Sequence, residues 1–480
     1  MSRVRRAAGQ NQWRGLAGVG LLALALLCAA CGSPGVVNQP PPSGNVYIQG
    51  GALRASDGSA RWSADLGIAP PLIAGGVAYV TAIAGDTVHQ TAYARAVRLS
   101  DGARLWQTAL PAAIEVGPDV LTQNGLLVVA TDLVGTHLLG TLQLLAFHTT
   151  DGSVAWRSTP IAVVREPTVD TRVPFVSRVA FASGRVVALA DAARDAAFAA
   201  AWNATDGSLA WRLPLPDASA YAGASTSIHV TGDVLTTAYQ GTTGERFGRL
   251  DVATGTWVWA DNAGSASLDL VTAGALVFSD SGTGTVTALR PHDGTTLWTR
   301  NLGAGMDRFL EAIAASDTTI YYRNYVLCPG ATPAPTDNLL SQIGCPQFSA
   351  LSLADGTLLW QHTLGLIPVY DATYSAYGDG ILYYQYFYSD QQSGEHFVLL
   401  ALRSADGSQL WSHATDGLFE SIIAGPGAAY ALARDPHGSC PSALVAISSH
   451  DGSQLWKRPY TPCPPHFIGG LSGFPWYVLG

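Results

Sequence analysis

The sequence predicts an all-β fold, a single β-propeller of four-stranded blades, on three observations. A G-x-x-x-W motif recurs nine times at steps of 39 to 62 residues. Asp precedes the Gly in eight copies, and apolar runs of strand length flank each one. No helical periodicity lies between copies, and a period near 40–50 belongs to solenoids, propellers and arrays.

Each element follows from local chemistry. The motif tryptophans are Trp62, Trp106, Trp156, Trp211, Trp259, Trp298, Trp360, Trp411 and Trp456. Asp-Gly between apolar runs is a hairpin signal, because both central residues tolerate positive φ. That turn joins the third strand of a unit to the fourth, which carries Trp. Earlier runs such as GGVAYVTA, NGLLVVAT and GDGILYYQY supply the inner strands. Four strands repeated radially make a propeller, and the turns exclude helix-pair solenoids. A fourth-strand Trp buries ~150–250 Å² and holds neighbouring blades together. Ala stands six residues before the Gly in eight copies, with Arg249 in the remaining one. The expectation is that this small side chain makes room for a neighbouring blade's Trp. The nine Trp residues are therefore structural. The tail FIGGLSGFPWYVLG and the start NVYIQG are expected to pair and complete one blade. Propellers usually have ~4–8 blades, so the expected count is eight, with nine as the alternative.

The chain divides into three parts. Residues 1–31 read as a signal peptide: Arg3, Arg5, Arg6 and Arg14, then the apolar LAGVGLLALALLCAA. The ending C-A-A-C-G-S resembles a lipobox with Cys31 as the lipidated residue. Cys28 stands where that pattern prefers Leu, which keeps plain cleavage open. Residues 32–44 are a Pro/Gly/Ser linker, and residues 45–480 are the propeller. No later segment is long and apolar enough to span a bilayer. Four further cysteines, Cys328, Cys345, Cys440 and Cys463, suit disulfides in an exported chain. Of three pairings, propeller topology favours Cys328–Cys345 and Cys440–Cys463, both stapling loops on the face opposite the Asp-Gly turns. The net charge of −9, without basic runs, argues against nucleic-acid binding.

The pattern A-x-D-x-x-T-G-x-x-x-W resembles the signature of pyrroloquinoline-quinone (PQQ)-type propeller repeats. Copy five, LDVATGTWVW, carries Asp251, Thr254, Gly255 and Trp259 of it. The resemblance covers essentially residues 45–480 and implies the fold. Two groups share the repeat: quinoprotein dehydrogenases, and non-enzymatic lipoproteins that include the propeller subunit of the outer-membrane β-barrel assembly machinery. The dehydrogenase group implies PQQ, a calcium site, a stacking floor and a catalytic Asp. This sequence has no adjacent Cys pair and no Asp/Asn-rich calcium loop.

Catalytic motifs are absent: no G-x-S-x-G, H-E-x-x-H or P-loop occurs. Charged residues near the starts of innermost strands are candidates to ring the central funnel: Glu115, Arg172, Arg308, Glu311, Asp371 and Glu420. The aromatic runs YYRNY (321–325) and YYQYFY (383–388) read as core between blades. The loops at 132–141 and 326–347 are the candidates for partner specificity. The expected function is an exported, lipid-anchored scaffold that binds another envelope protein, on a periplasmic or cell-surface face, with no cofactor, no metal and no catalysis of its own. The alternative is a PQQ- and calcium-dependent dehydrogenase of an alcohol or sugar.

Overall fold

The computed structural model describes residues 44–479 apart from 49, 67–70, 86–89, 112–114, 124, 135–138, 165–175, 191–196, 216–226, 232–233, 242–243, 265, 304–309, 328–343, 365–369, 391–393, 435–440 and 461–476. Its strands form nine antiparallel sheets. Blade 1 combines Asn45–Ile48, Gly51–Arg54 and Ala60–Ser63 with Tyr477–Leu479 from the far end of the chain. Val46 pairs with Val478, so the two ends close the ring as expected. Blades 2 to 9 follow as residues 72–109, 115–164, 176–214, 227–264, 267–301, 310–363, 370–415 and 419–459. Blade 3 carries an added segment, Ile161–Val164, beside its third strand.

The expected count of eight gives way to nine. Every motif copy ends a blade, and a single contact repeats around the ring. Each Trp donates its indole N–H to a carbonyl in the next blade's turn: Trp62 to Leu99 at 3.0 Å, Trp106 to Thr149 at 2.8 Å, Trp156 to Ala204 at 2.7 Å, and so on. Trp456 of blade 9 donates to Ala55 of blade 1 at 2.9 Å. No copy is left outside, because the last Trp docks on the first turn.

The turn itself is wider than a two-residue hairpin. Four residues, such as 55–58, lie between Arg54 and Ser59, whose backbones bond at 2.9 Å. Only the Gly has positive φ, at 65° for Gly58 and 71° for Gly407. The Asp keeps ordinary φ and works through its side chain: Asp406 Oδ1 accepts the Ser408 N–H at 2.9 Å. These exposed carboxyls sit below the usual range because they accept such bonds, Asp293 and Asp451 at about 2.

The Gly has a second reason. A Cβ on Gly356 would lie 2.5 Å from the Trp298 ring of the preceding blade, and the turn glycines of the other blades meet a Trp in the same way. The neighbouring Trp therefore rests on Gly, and the expectation for the Ala column is corrected. Each Ala lies across from the Trp of its own blade, as Ala350 does from Trp360. In five blades a Tyr flanks the Ala on the other side, as Tyr321 does. Tyr and Trp lean over the Ala until their centroids are 5.7 to 6.2 Å apart in Tyr47–Trp62, Tyr79–Trp106, Tyr321–Trp360, Tyr383–Trp411 and Tyr430–Trp456. A larger side chain at the Ala would part the rings. Arg249, the exception, reaches out to the His292 carbonyl of blade 6 at 3.1 Å. The core is thus a set of clusters between consecutive blades.

Candidate functional site

The inner wall of blades 5 to 8 carries a buried polar network. It is built on the second strand of blade 7, Thr319–Leu327. Strand alternation sends Ile320, Tyr322 and Asn324 toward blade 6, and Tyr321, Arg323 and Tyr325 toward blade 8. Consecutive residues therefore bond to opposite neighbours.

Toward blade 6, the Tyr322 hydroxyl donates to Asp269 Oδ2 at 2.7 Å. Ser279 donates to Asp269 Oδ1 at 3.0 Å. Asp269 is the bulged residue of its inner strand, where the pairing register shifts between Leu268 and Leu270. A bulge re-aims a side chain, and here it turns the carboxyl into the seam. The residue keeps slight exposure while its carboxyl is enclosed by protein. Burial pushes this carboxyl up to about 7, opposed by the Tyr322 and Ser279 bonds and reinforced by Glu245 and Glu311. Burial also raises Glu245, opposed by the Leu268 N–H it accepts at 3.0 Å. Asn324 donates to the Gly303 carbonyl at 3.0 Å.

Toward blade 8, Arg323 is 2% exposed and faces two partners. One guanidinium nitrogen donates to Glu311, its cross-strand partner. The other donates to the Tyr384 hydroxyl of blade 8 at 2.7 Å. The Tyr325 and Tyr384 rings flank the guanidinium at 5.3 and 5.4 Å. One seam further, Gln385 accepts the Phe419 N–H at 2.7 Å and donates to Gly417 at 3.1 Å. Buried polar groups satisfied in this way hold a geometry firmly.

Of the funnel candidates, Glu311 lies on the inner wall with its side chain 37% exposed and paired to Arg323. Glu115, Asp371 and Glu420 fall at the first or second residue of the inner strands of blades 3, 8 and 9. Their side chains, and Arg172 and Arg308 entirely, lie outside the described residues. So do Cys31, Cys328, Cys440 and Cys463; Cys345 is buried and disulfide-bonded. Tyrosines of both aromatic runs are core, with Tyr322, Tyr383 and Tyr384 at most 1% exposed. The expected loop at 132–141 is largely strand, since Leu126–Val134 and Leu139–His148 pair across it. Sequence reasoning missed Asp269, Arg323 and Gln385. The signal was there: a charged or amide residue inside an apolar strand, as in YYRNYV and SLDLV.

Chemically, these carboxyls are engaged by donors of the protein itself. Among the described residues no group of three His, Cys, Asp or Glu is placed to hold a metal ion. A calcium-bound quinone needs carboxylate donors free to coordinate the cation, and the described inner-wall set does not fit it.

None of the curated proteins compared matches the chain. Among solved structures, a europium-containing methanol dehydrogenase is 13% identical, with 75% of this chain and 81% of that chain covered at a TM-score of 0.41. A quinohemoprotein alcohol dehydrogenase from Comamonas testosteroni is 13% identical, covering 82% and 67%, at 0.41. The dihydro-heme d1 dehydrogenase NirN is 12% identical, covering 81% and 73%, at 0.42. Residues 50–300 match the model of the family described as outer membrane protein assembly factor BamB, and the chain belongs to that family.

Proposed function

We propose that this protein is an exported, lipid-anchored propeller that serves as a protein-binding scaffold in the cell envelope and performs no catalysis of its own. The observation that carries the reading is the state of the inner wall. Asp269 is held by Tyr322 and Ser279, Glu311 by Arg323, and Glu245 by a backbone N–H. Asp269 and Glu245 key neighbouring blades to one another, Glu311 is held within blade 7, and none of them offers a reacting pair. Membership of a family described by outer-membrane assembly supports the envelope setting and a protein partner. The partner surface is expected on the face opposite the Asp-Gly turns, where the long second and third strands of blades 3, 7 and 8 end.

The test is direct. Purified protein is supplied with PQQ and Ca²⁺ and assayed for bound quinone and for alcohol- or sugar-dependent dye reduction. No turnover is expected, together with co-purification of a stoichiometric envelope protein after cross-linking in cells. Robust turnover overturns the scaffold reading. For the anchor, Cys31→Ala is expected to release the protein from membranes, and retention of the variant refutes lipidation.

A further inference from the structure

The outermost strands carry a pattern that the Trp seams do not use. Every large apolar side chain that stands exposed among the described residues lies on one of these strands, at 36 to 51%, as Leu105, Val154, Leu209 and Leu359 do. The same nine strands hold seven Lys or Arg against a single Asp. In the whole chain the acids outnumber Lys and Arg, 35 to 26.

The cations gather on one arc. Blades 2, 3 and 4 adjoin in the ring, and each sets one exposed arginine beside one exposed apolar residue: Arg104 with Leu105, Arg157 with Val154, Arg212 with Leu209. The outermost strands of blades 5, 7 and 8 keep the apolar residue and have no Lys or Arg. In blade 9 Lys457 meets Asp416, and Arg458 donates to the Asp57 carbonyl. The arginines of blades 2 to 4 are different. Arg104 donates to Gln107 at 3.3 Å, Arg212 lies 3.9 Å over the Phe198 ring, and no carboxylate of the described residues pairs with any of the three. The turn carboxylates at one margin of this strip, Asp101, Asp151 and Asp206, accept N–H groups of their own turns, and Asp101 also pairs with Arg98 at 2.8 Å.

Shape selects the partner. The rim of a ring is convex, and its apolar side chains stand singly, one to a blade. That gives a protein partner no pocket for an anchoring side chain. A lipid surface needs none, since anionic headgroups gather at separated arginines and apolar side chains enter the headgroup boundary. We propose that the outer edge of blades 2 to 4 rests on an anionic lipid surface, with Arg104, Arg157 and Arg212 at the headgroups and Leu105, Val154 and Leu209 among them. The proposal takes its envelope setting from the scaffold reading and needs no protein partner, so purified components test it alone.

Protein carrying Cys31→Ala, which removes any acyl chain at that residue, is sedimented with vesicles of phosphatidylglycerol mixed with phosphatidylcholine, or of phosphatidylcholine alone. Saturable binding to the anionic vesicles is expected, weakened by salt, with far less to the neutral ones. Each arginine near such a surface contributes roughly fivefold. Arg157→Gln combined with Arg212→Gln is therefore expected to weaken binding about 25-fold, while Arg300→Gln, on the outermost strand of blade 6, leaves it unchanged. Tryptophan emission of both variants should match that of the parent. Absence of binding to anionic vesicles, equal binding to neutral ones, or equal losses in the two variants overturns the proposal. Failure of the scaffold reading shows separately, as quinone-dependent turnover.

Discussion

Two glycines with the same backbone isolate what the Trp seam contributes. Gly356 and Gly427 both have φ of +70°. Around Gly427 nothing lies within 4 Å of an added Cβ, while at Gly356 it would sit 2.5 Å from Trp298 Cε3 and 2.7 Å from Cδ2. Gly427→Ala therefore reports the cost of an L-residue in left-handed conformation alone, about 1–2 kcal/mol. Gly356→Ala adds an overlap that requires the ring to retreat by most of an ångström. Trp298 is 8% exposed and donates to Leu353 at 3.1 Å, so it has no free direction. Overpacking of this kind costs about 1–3 kcal/mol, and loss of the indole bond about 1 kcal/mol more. The expected destabilisation is roughly 3–6 kcal/mol for Gly356→Ala against 1–2 for Gly427→Ala. Urea unfolding followed by tryptophan emission measures both on the same transition. Adding Trp298→Leu to Gly356→Ala should recover part of the difference, since the two changes share a contact. Equal losses for the two glycines, or strict additivity with Trp298→Leu, would refute the seam argument.

Further outcomes follow from the same contacts. Trp360→Phe keeps most of the buried area but loses the N–H to Ser404 at 2.7 Å, and should cost roughly 1–3 kcal/mol, because it leaves that carbonyl unpaired. Asp269 is raised in the fold to about 7, so its contribution is fully present below about 4 and lost as pH rises through 7. Asp269→Asn should flatten the decline in urea midpoint between pH 4 and 7; an unchanged decline counts against the buried carboxyl. Asp451 has the opposite sign, held at about 2, with stability present above 4 and lost as pH falls through 2. Asp451→Asn should remove that acid-side loss. Peptide mapping without reductant should join Cys345 to Cys328, since Cys345 is disulfide-bonded and Cys328 follows directly the strand that pairs with it. Linkage of Cys345 to Cys440 or Cys463 refutes the expected connectivity.

The repeat was readable because its chemistry is local. Gly at a positive-φ turn, Trp four residues on, and Ala six before it lie within one hairpin, and the hairpin forms wherever they occur. The inner wall was harder to read. Tyr322 meets Asp269 across 53 positions, and Arg323 meets Tyr384 across 61. No spacing rule joins residues in different blades. Asp269 also depends on a bulge that shifts its register, which the sequence SLDLV does not announce. The Ala column illustrates a middle case: the need for a small residue was legible, while the identity of its neighbours was not.

By itself the sequence determined the class of fold, the strand count per blade, the Asp-Gly turns and the closure of the ring by its two ends. These depend on backbone freedom, side-chain size and alternation within a few tens of residues. Only the tertiary structure decided that the ring holds nine blades, that each Trp rests on the next blade's glycine, and that Asp269 and Arg323 each bond to a tyrosine of a neighbouring blade. Those outcomes depend on how blades meet around a closed circle, where each contact joins segments 30 or more residues apart and, at the last seam, 401 apart.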